Sequence, residues 1–303
     1  MSSGPQLVVA GNLLLDDVVY ADGTTRMGQP GGAALYAALG AALWGVRVGI
    51  VSRLGSDYPG DVIETLADRG IAVAGNGGPP GPTLRTWLLY ENRRRRVVHR
   101  LDGPTHDDVS PHSGEAPADW RPAVVHLAPM PWTVQKEWIE AMAARPSLHL
   151  SADPYELLTD DRLDEWRQVF GSVDTLFLSE DEMQIPAALE RPVPTLDRLG
   201  AGAPRLDAIL YKQGASGGIA WRAGSPVLNW SPHAESLVDP TGAGDAFAGG
   251  VLAGRLLGEP LRRRLARGVV AAGYALSAAG ADGLLAASPE EASARLDACQ
   301  PVA

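Results

Sequence analysis

The sequence predicts an α/β fold: a mostly parallel sheet with helices packed on both faces. Two observations carry this. Short apolar runs alternate with longer helical stretches along most of the 303-residue chain, and strands that alternate with helices pair in parallel and bury both faces. The residues are 45% apolar and 20% charged, a composition that builds a substantial core rather than a disordered chain.

Residues 7–11 read as a short buried strand, and residues 13–20 continue extended with Asp16 and Asp17 inside them. Gly31 and Gly32 open a small-residue helix over 33–43, followed by a strand at 46–51 and a helix at 61–69. Two extended segments, 83–90 and 95–101, flank a polar turn at 91–94, which is a hairpin pattern. Residues 75–82 and 103–122 are Gly/Pro-rich loops. The pattern then becomes regular, with strands at 123–127, 148–152, 175–178, 208–211, 219–221 and 227–230. Helices are expected at 133–144, 161–170, 245–257, 261–279 and 289–298. No repeat or linker divides the chain, so residues 1–303 read as one domain. Segments 12–22 and 83–102 fit poorly in a parallel sheet and are expected to stand outside it as a small β subdomain.

Several function classes drop out on composition. A net charge of −10 argues against a nucleic-acid partner, which calls for a basic face. The single cysteine, Cys299, allows no intrachain disulfide framework and fits a reducing compartment. No apolar run reaches the about 18 residues of a membrane helix. Residues 1–6 lack the basic-then-apolar order of a secretory signal. The expected setting is the cytoplasm, away from membranes. The six histidines have no paired spacing suited to zinc. There is no GxxxxGK[ST] loop, and residues 11–16 after the first strand lack the GxGxxG of a dinucleotide-dependent oxidoreductase.

The segment richest in chemistry is Asp239-Pro240-Thr241-Gly242-Ala243-Gly244-Asp245, directly before an apolar helix. Residues without bulky side chains let backbone approach a ligand. The first amides of a helix have no internal acceptor and carry partial positive charge, which suits a phosphate. Taken alone, the same segment also reads as ordinary helix capping, because an acidic residue in a first turn is favourable to the helix.

Residues 239–252, DPTGAGDAFAGGVL, resemble the C-terminal signature of the ribokinase-like (PfkB) carbohydrate kinases. Gly31, Gly32, Ala33, Ala34, Leu35, Tyr36, Ala38, Gly45 and Gly55 keep the spacing of that family's N-terminal signature, with Tyr36 in place of the usual Asn. The resemblance runs from Gly11 to about Gly283. It implies a three-layer ribokinase-like fold with a β lid, through which many members form homodimers. It also implies transfer of the γ-phosphoryl group of ATP to a hydroxyl of a sugar or polyol. Asp245 would be the general base, and the amides of Gly242, Ala243 and Gly244 the anion hole. Such a transfer needs positioning and charge stabilisation more than covalent help.

By the same resemblance Asn12, Asp16, Gly31, Gly32 and Tyr36 would meet the acceptor, with Asp17 turned to solvent on the other strand face. Lys212, Gly214, Gly217 and Thr241 would lie beside the nucleotide. Ser179-Glu180-Asp181-Glu182 stands at the family's Asn-x-x-Glu motif with Ser for Asn, and Glu182 would act on Mg²⁺ through water. A monovalent-cation requirement stays open. Arg93 to Arg96 read as a solvated basic tip, while Arg85 and Arg100 are better placed to meet an anionic acceptor. Two alternatives accompany the sugar kinase: a nucleoside kinase of the same fold, and a regulatory sugar- or nucleotide-binding protein with weakened catalysis. The second is motivated by the departures at Tyr36 and Ser179.

Overall fold

Strand alternation sorts the core into two layers. In the first strand Leu7 and Val9 belong to one apolar cluster, while Val8 and Ala10 belong to another. This is the period-two burial of a strand covered on both faces. The structure, a computed structural model, describes residues 4–75, 81–91, 94–100, 102–234 and 236–299.

In chain order the first seven strands are β1 (Leu7–Ala10), β2 (Leu14–Val19), β3 (Thr25–Gly31), β4 (Val48–Val51), β5 (Ile71–Ala74), β6 (Arg85–Glu91) and β7 (Arg94–His99). They are followed by β8 (Val124–Leu127), β9 (His149–Ala152), β10 (Thr175–Ser179), β11 (Ala208–Lys212), β12 (Gly218–Arg222) and β13 (Leu228–Trp230). The helices begin with α1 (Ala33–Ala42), α2 (Gly60–Asp68), α3 (His106–Val109), α4 (Trp132–Ala143), α5 (Leu163–Phe170) and α6 (Pro186–Glu190). The chain closes with α7 (Pro192–Gly200), α8 (Ala243–Leu256), α9 (Leu261–Leu276), α10 (Asp282–Ala286) and α11 (Pro289–Ala298).

The main sheet has nine strands in the order β13-β12-β11-β10-β9-β8-β1-β4-β5. It is parallel from β5 to β11, and β12 and β13 are antiparallel. One face is covered by α1, α8 and α9 with α2, α10 and α11 beside them, the other by α4, α5, α6 and α7. The small residues of α1 and α8 have a packing cause. A side chain on Gly40 would run into the backbone of Ala246, and one on Gly249 into that of Ala37, so the two helices cross at close range.

A second sheet of four strands, in the order β3-β2-β6-β7, stands apart from the first. Its outer pairs are antiparallel, whereas β2 and β6 pair in parallel. The three-layer α/β expectation agrees with this architecture. Strands β3 and β5 and helices α3, α6, α7 and α10 were not expected, α3 falling inside the predicted loop 103–122. The helix expected over 161–170 is instead a 3₁₀ turn, Asp160–Arg162, followed by α5. At the basic tip, Arg93 lies outside the described residues, and Arg96 pairs with Glu91 at 3.3 Å.

The carboxyl ends of β1, β9, β10 and β11 lead into Asn12, Asp153, Glu180 and Gln213 on one edge of the sheet. The N-terminus of α8 meets the same edge, the place where open parallel sheets bind ligands.

Candidate active site

Gly242 caps α8 in the left-handed conformation, φ 73°, which costs a residue with a Cβ and suits glycine. Space adds a second reason: a Cβ here would overlap the ring of Tyr36. Tyr36 is only 2% exposed, so it forms the floor under the loop that starts α8. Burial, followed by Asp16, Asp239, Asp245 and Tyr90, pushes its phenol well above the usual range. Tyr36, which stands where the resemblance expects Asn, is therefore committed to packing against the loop that starts α8.

Asp245 sits half-buried in the first turn of α8. The Ala243 amide reaches the Pro240 carbonyl at 3.4 Å, a long turn contact. Gly244 and Asp245 occupy first-turn positions whose amides have no acceptor within the helix. Ahead of them, Asp239 is fixed from three sides. Its Oδ1 accepts from the Thr241 amide at 2.9 Å and the Tyr90 hydroxyl at 2.8 Å, and its Oδ2 accepts from the Gly280 amide at 3.1 Å. Burial works against ionisation of Asp239, but these donors outweigh it and hold its carboxyl below the usual range. Tyr90 also lies 2.5 Å from the Thr241 hydroxyl, so that hydroxyl faces β6 of the small sheet.

The residues expected to meet the acceptor include Asn12, just after the first strand, and Asp16 in β2. Asp16 is buried at 5% exposure and accepts from the Thr86 hydroxyl of β6. A side chain at Gly31 would collide with the Asp16 carboxylate, and one at Gly32 with the Asn12 carbonyl. The two glycines thus clear space for Asp16 and bring α1 against the first strand. Asn12 is also buried, with its amide 3.1 Å from His106 Nδ1 and its carbonyl 3.1 Å from the Ser110 hydroxyl that donates to it.

Asp17 corrects the expectation of a solvated partner. It is 2% exposed, accepts from the Gly28 amide at 2.7 Å and pairs with Arg85 at 3.2 Å. The pairing of β2 with β3 shifts register between Asp16 and Val18, and such an irregularity re-aims side chains that strict alternation would send outward. Arg85 is thereby engaged within the sheet, and Arg100 pairs with Asp102 at 2.7 Å.

Among the residues expected beside the nucleotide and its ion, Ser179 and Glu182 form a closed clasp. Glu182 Oε2 accepts from the Ser179 amide at 2.6 Å and from its hydroxyl, so serine at the usual Asn position still orients the acid. Gly214 starts a 3₁₀ turn, Gly214–Ser216, with open space where a side chain would be, and Gly217 follows it into β12. Lys212 ends β11 and meets Asp153 at 2.5 Å. Its ammonium nitrogen lies 3.4 Å from where a Cβ on Gly244 would stand, beside the start of α8. Burial alone would push this ammonium down, but Asp153, Glu182 and Asp245 outweigh it and hold it above the usual lysine range.

The pfkB family carbohydrate kinase profile matches residues 15–287. The chain belongs to this family. It is therefore a phosphotransferase with an alcohol acceptor, and its reaction is ATP-dependent phosphorylation of a sugar or nucleoside hydroxyl. Among similar proteins, a cytidine kinase of Thermococcus kodakarensis is 30% identical over 261 residues, covering 84% of this chain and 90% of that protein. An acarbose 7(IV)-phosphotransferase of Actinoplanes is 31% identical over 273 residues, covering 86% of this chain and 83% of the other. The crystal structure of Cryptococcus neoformans ribokinase with ADP superposes with a TM-score of 0.76 at 18% identity, covering 97% of this chain and 100% of that one.

The structure also gives contacts near this corner that sequence reasoning did not foresee. Thr86 and Tyr90 belong to the hairpin, but nothing local marked them as the side chains that reach Asp16 and Asp239. Asp153 lies in no motif, and its pairing with Lys212 follows only from the adjacency of β9, β10 and β11.

Proposed function

We propose that the acceptor hydroxyl and the γ-phosphorus of ATP meet at the start of α8. There Asp245 takes the hydroxyl proton, and the first amides, Gly242 to Gly244, receive the transferred phosphoryl group. The observation that carries this is the shared corner: the Asp245 turn, the Lys212 ammonium beside Gly244 and the Tyr36 floor that also feels Asp16. A carboxylate at the acceptor and fixed amides at the developing charge are what such a transfer requires. Asp16 and the backbone at Gly31 and Gly32 would hold the acceptor, and the Lys212 to Gly217 turn and Thr241 would border the nucleotide.

Glu182 would serve Mg²⁺ through water. Among the described residues no group of three or more His, Cys, Asp or Glu side chains could enclose a metal. That fits an ion held by one carboxylate, water and substrate phosphates. When bound, the ion would neutralise phosphate charge.

The chain would act as one domain, with segments 12–22 and 83–102 as a lid over the acceptor. The small sheet exposes Met27, Val97 and Val98, which supports self-association of two lids into a homodimer. No described helix is long and apolar enough to cross a membrane, in keeping with the cytoplasmic setting proposed here.

The acceptor class is a sugar or polyol. A nucleoside is a second reading, favoured by one observation besides the cytidine kinase relative. The His106 ring, bonded to Asn12, lies 4.9 Å from that of His99 and 5.7 Å from that of Tyr155. Tyr155 is 46% exposed and could offer a flat face to a base.

Turnover of ATP across a panel of sugars, polyols and ribonucleosides tests the proposal, with Asp245→Asn as its control. The variant is expected to lower kcat by about 10²–10⁴-fold while binding ATP as the parent does. Parent-like turnover by the variant would remove Asp245 as the base.

A further inference from the structure

Asp153 is a buried acid that the motifs do not account for. It follows β9 directly and is 2% exposed. Its backbone is tied down at both ends. The amide donates to the Leu127 carbonyl at 2.8 Å, and the carbonyl accepts from Gln135 at 2.7 Å. Gln135, from α4, is itself fully buried and also donates to the Ala128 carbonyl at 3.0 Å. A carboxylate held this rigidly has one cation in contact, the Lys212 ammonium at 2.5 Å.

Isolated buried ion pairs contribute little net stability, because desolvation opposes the attraction. A pair of this kind therefore invites a functional explanation. Lys212 has other acids within electrostatic reach, Glu182 and Asp245. A lysine is a flexible point charge on a long stem, and without a fixed partner it could fold onto the carboxylate that must accept the acceptor's proton. Asp153 gives it a different one. The resulting position is beside Gly244, in the first turn of α8, where the first amides would receive phosphate.

We propose that Asp153 is a positioning residue that holds the Lys212 ammonium at the mouth of the anion hole, where it meets the γ-phosphate of the nucleotide. This rests on the kinase reading above and deepens it. No bond is made or broken at either side chain: burial raises the Asp153 carboxyl to about 7 and the Lys212 ammonium beside it pulls the other way, and with the proton on Lys212 the ammonium bridges a carboxylate and a phosphate through two charge-assisted hydrogen bonds. One ammonium then offsets charge among three carboxylates and the incoming triphosphate.

The test needs no acceptor, so its failure is separable from failure of the kinase reading, which the turnover panel decides. Binding of ADP and of a non-hydrolysable ATP analogue, both with Mg²⁺, is measured by calorimetry for the full chain and for Asp153→Asn, Lys212→Gln and the double variant. The parent is expected to bind the analogue more tightly than ADP. Each single variant should lose roughly tenfold or more of that preference, in line with a hydrogen bond to a charged group, while ADP affinity changes little. The double variant should lose no more than either single, because the two residues act as one unit. A merely structural role would weaken ADP and the analogue alike. The proposal is overturned if the parent shows no preference, if either single variant keeps it, or if the losses multiply. Should Asp153→Asn fail to fold, Lys212→Gln together with Asp153→Glu decides: retention of the full preference by either overturns the proposal, and its loss in both supports it.

Discussion

Gly242 shows how one position can carry two independent constraints. Its φ of 73° disfavours any L side chain, and the Tyr36 ring occupies the space a Cβ would enter. Gly242→Ala is therefore expected to destabilise the protein by about 1–3 kcal/mol through backbone strain and to displace the anion-hole amides. Thermal unfolding and kcat measure the two effects separately. A variant with parent stability and parent kcat would show that the loop relaxes freely and that its geometry is not needed. The sequence made this glycine legible through the resemblance of residues 239–252 to a family signature, since the small-residue run taken alone also reads as ordinary helix capping. Tyr36 was legible only as a departure from a family position. That its ring would floor the loop depends on α1 crossing α8, a contact between residues two hundred positions apart. Asp153 had no local signature at all, and Asp17 was misread because strict alternation assumes a strand without a bulge.

At the level of elements, Tyr90 joins the small sheet to the signature loop. Tyr90 leaves β6, stacks on Tyr20 with centroids 5.8 Å apart, and donates to Asp239 while touching Thr241. Tyr90→Phe keeps the ring and removes the hydroxyl. Loss of a hydrogen bond to an ionised group corresponds to about 1.5–3 kcal/mol. The variant should therefore open the small sheet more often, with faster hydrogen exchange in β2 and β6 and a higher KM for the acceptor. Unchanged exchange in both strands would mean that the sheet is held by other contacts. The hairpin of β6 and β7 was legible from its paired extended runs and polar turn. β3 was not, because TRMGQPG carries Gly and Pro and no clear alternation, and its strand state comes from pairing with β2. β5 and α7 were hidden for a related reason. Each is short, and its identity is set by the sheet edge or helix layer it completes.

For the molecule as a whole, burial of histidine in the central strands makes stability depend on pH. His126 in β8 and His149 in β9 both line the interior. His126 is fully buried and contacts the Ser151 hydroxyl at 3.0 Å, and His149 reaches the Thr175 hydroxyl at 3.1 Å. Burial, then Lys212 and His149, lowers His126 to about 3. Burial, then Arg255, Arg264 and Arg205, lowers His149 to about 3. The ordinary value is 6.5 for both. Between these values the unfolded chain binds protons that the native state refuses, so stability is full above about pH 6.5 and falls as pH drops toward 3. Each histidine contributes a slope of up to about 1.4 kcal/mol per pH unit within that window. Carboxylates such as Asp239, held by hydrogen bonds below the ordinary 3.8, begin to lose their stabilisation as pH falls below 3.8, in the lower part of the same window. Asp153 acts with the opposite sign, since burial raises its carboxyl against the pull of Lys212. The informative measurement is therefore a difference between two proteins. Unfolding free energy from pH 7 to pH 4.5 is compared for the parent and for His149→Gln, a side chain that can still reach Thr175 and does not titrate. The parent curve should fall more steeply, and the gap should close as pH falls. Parallel curves would mean that His149 takes up its proton as readily in the native state as in the unfolded chain, and with it the argument from burial in the central sheet would fail.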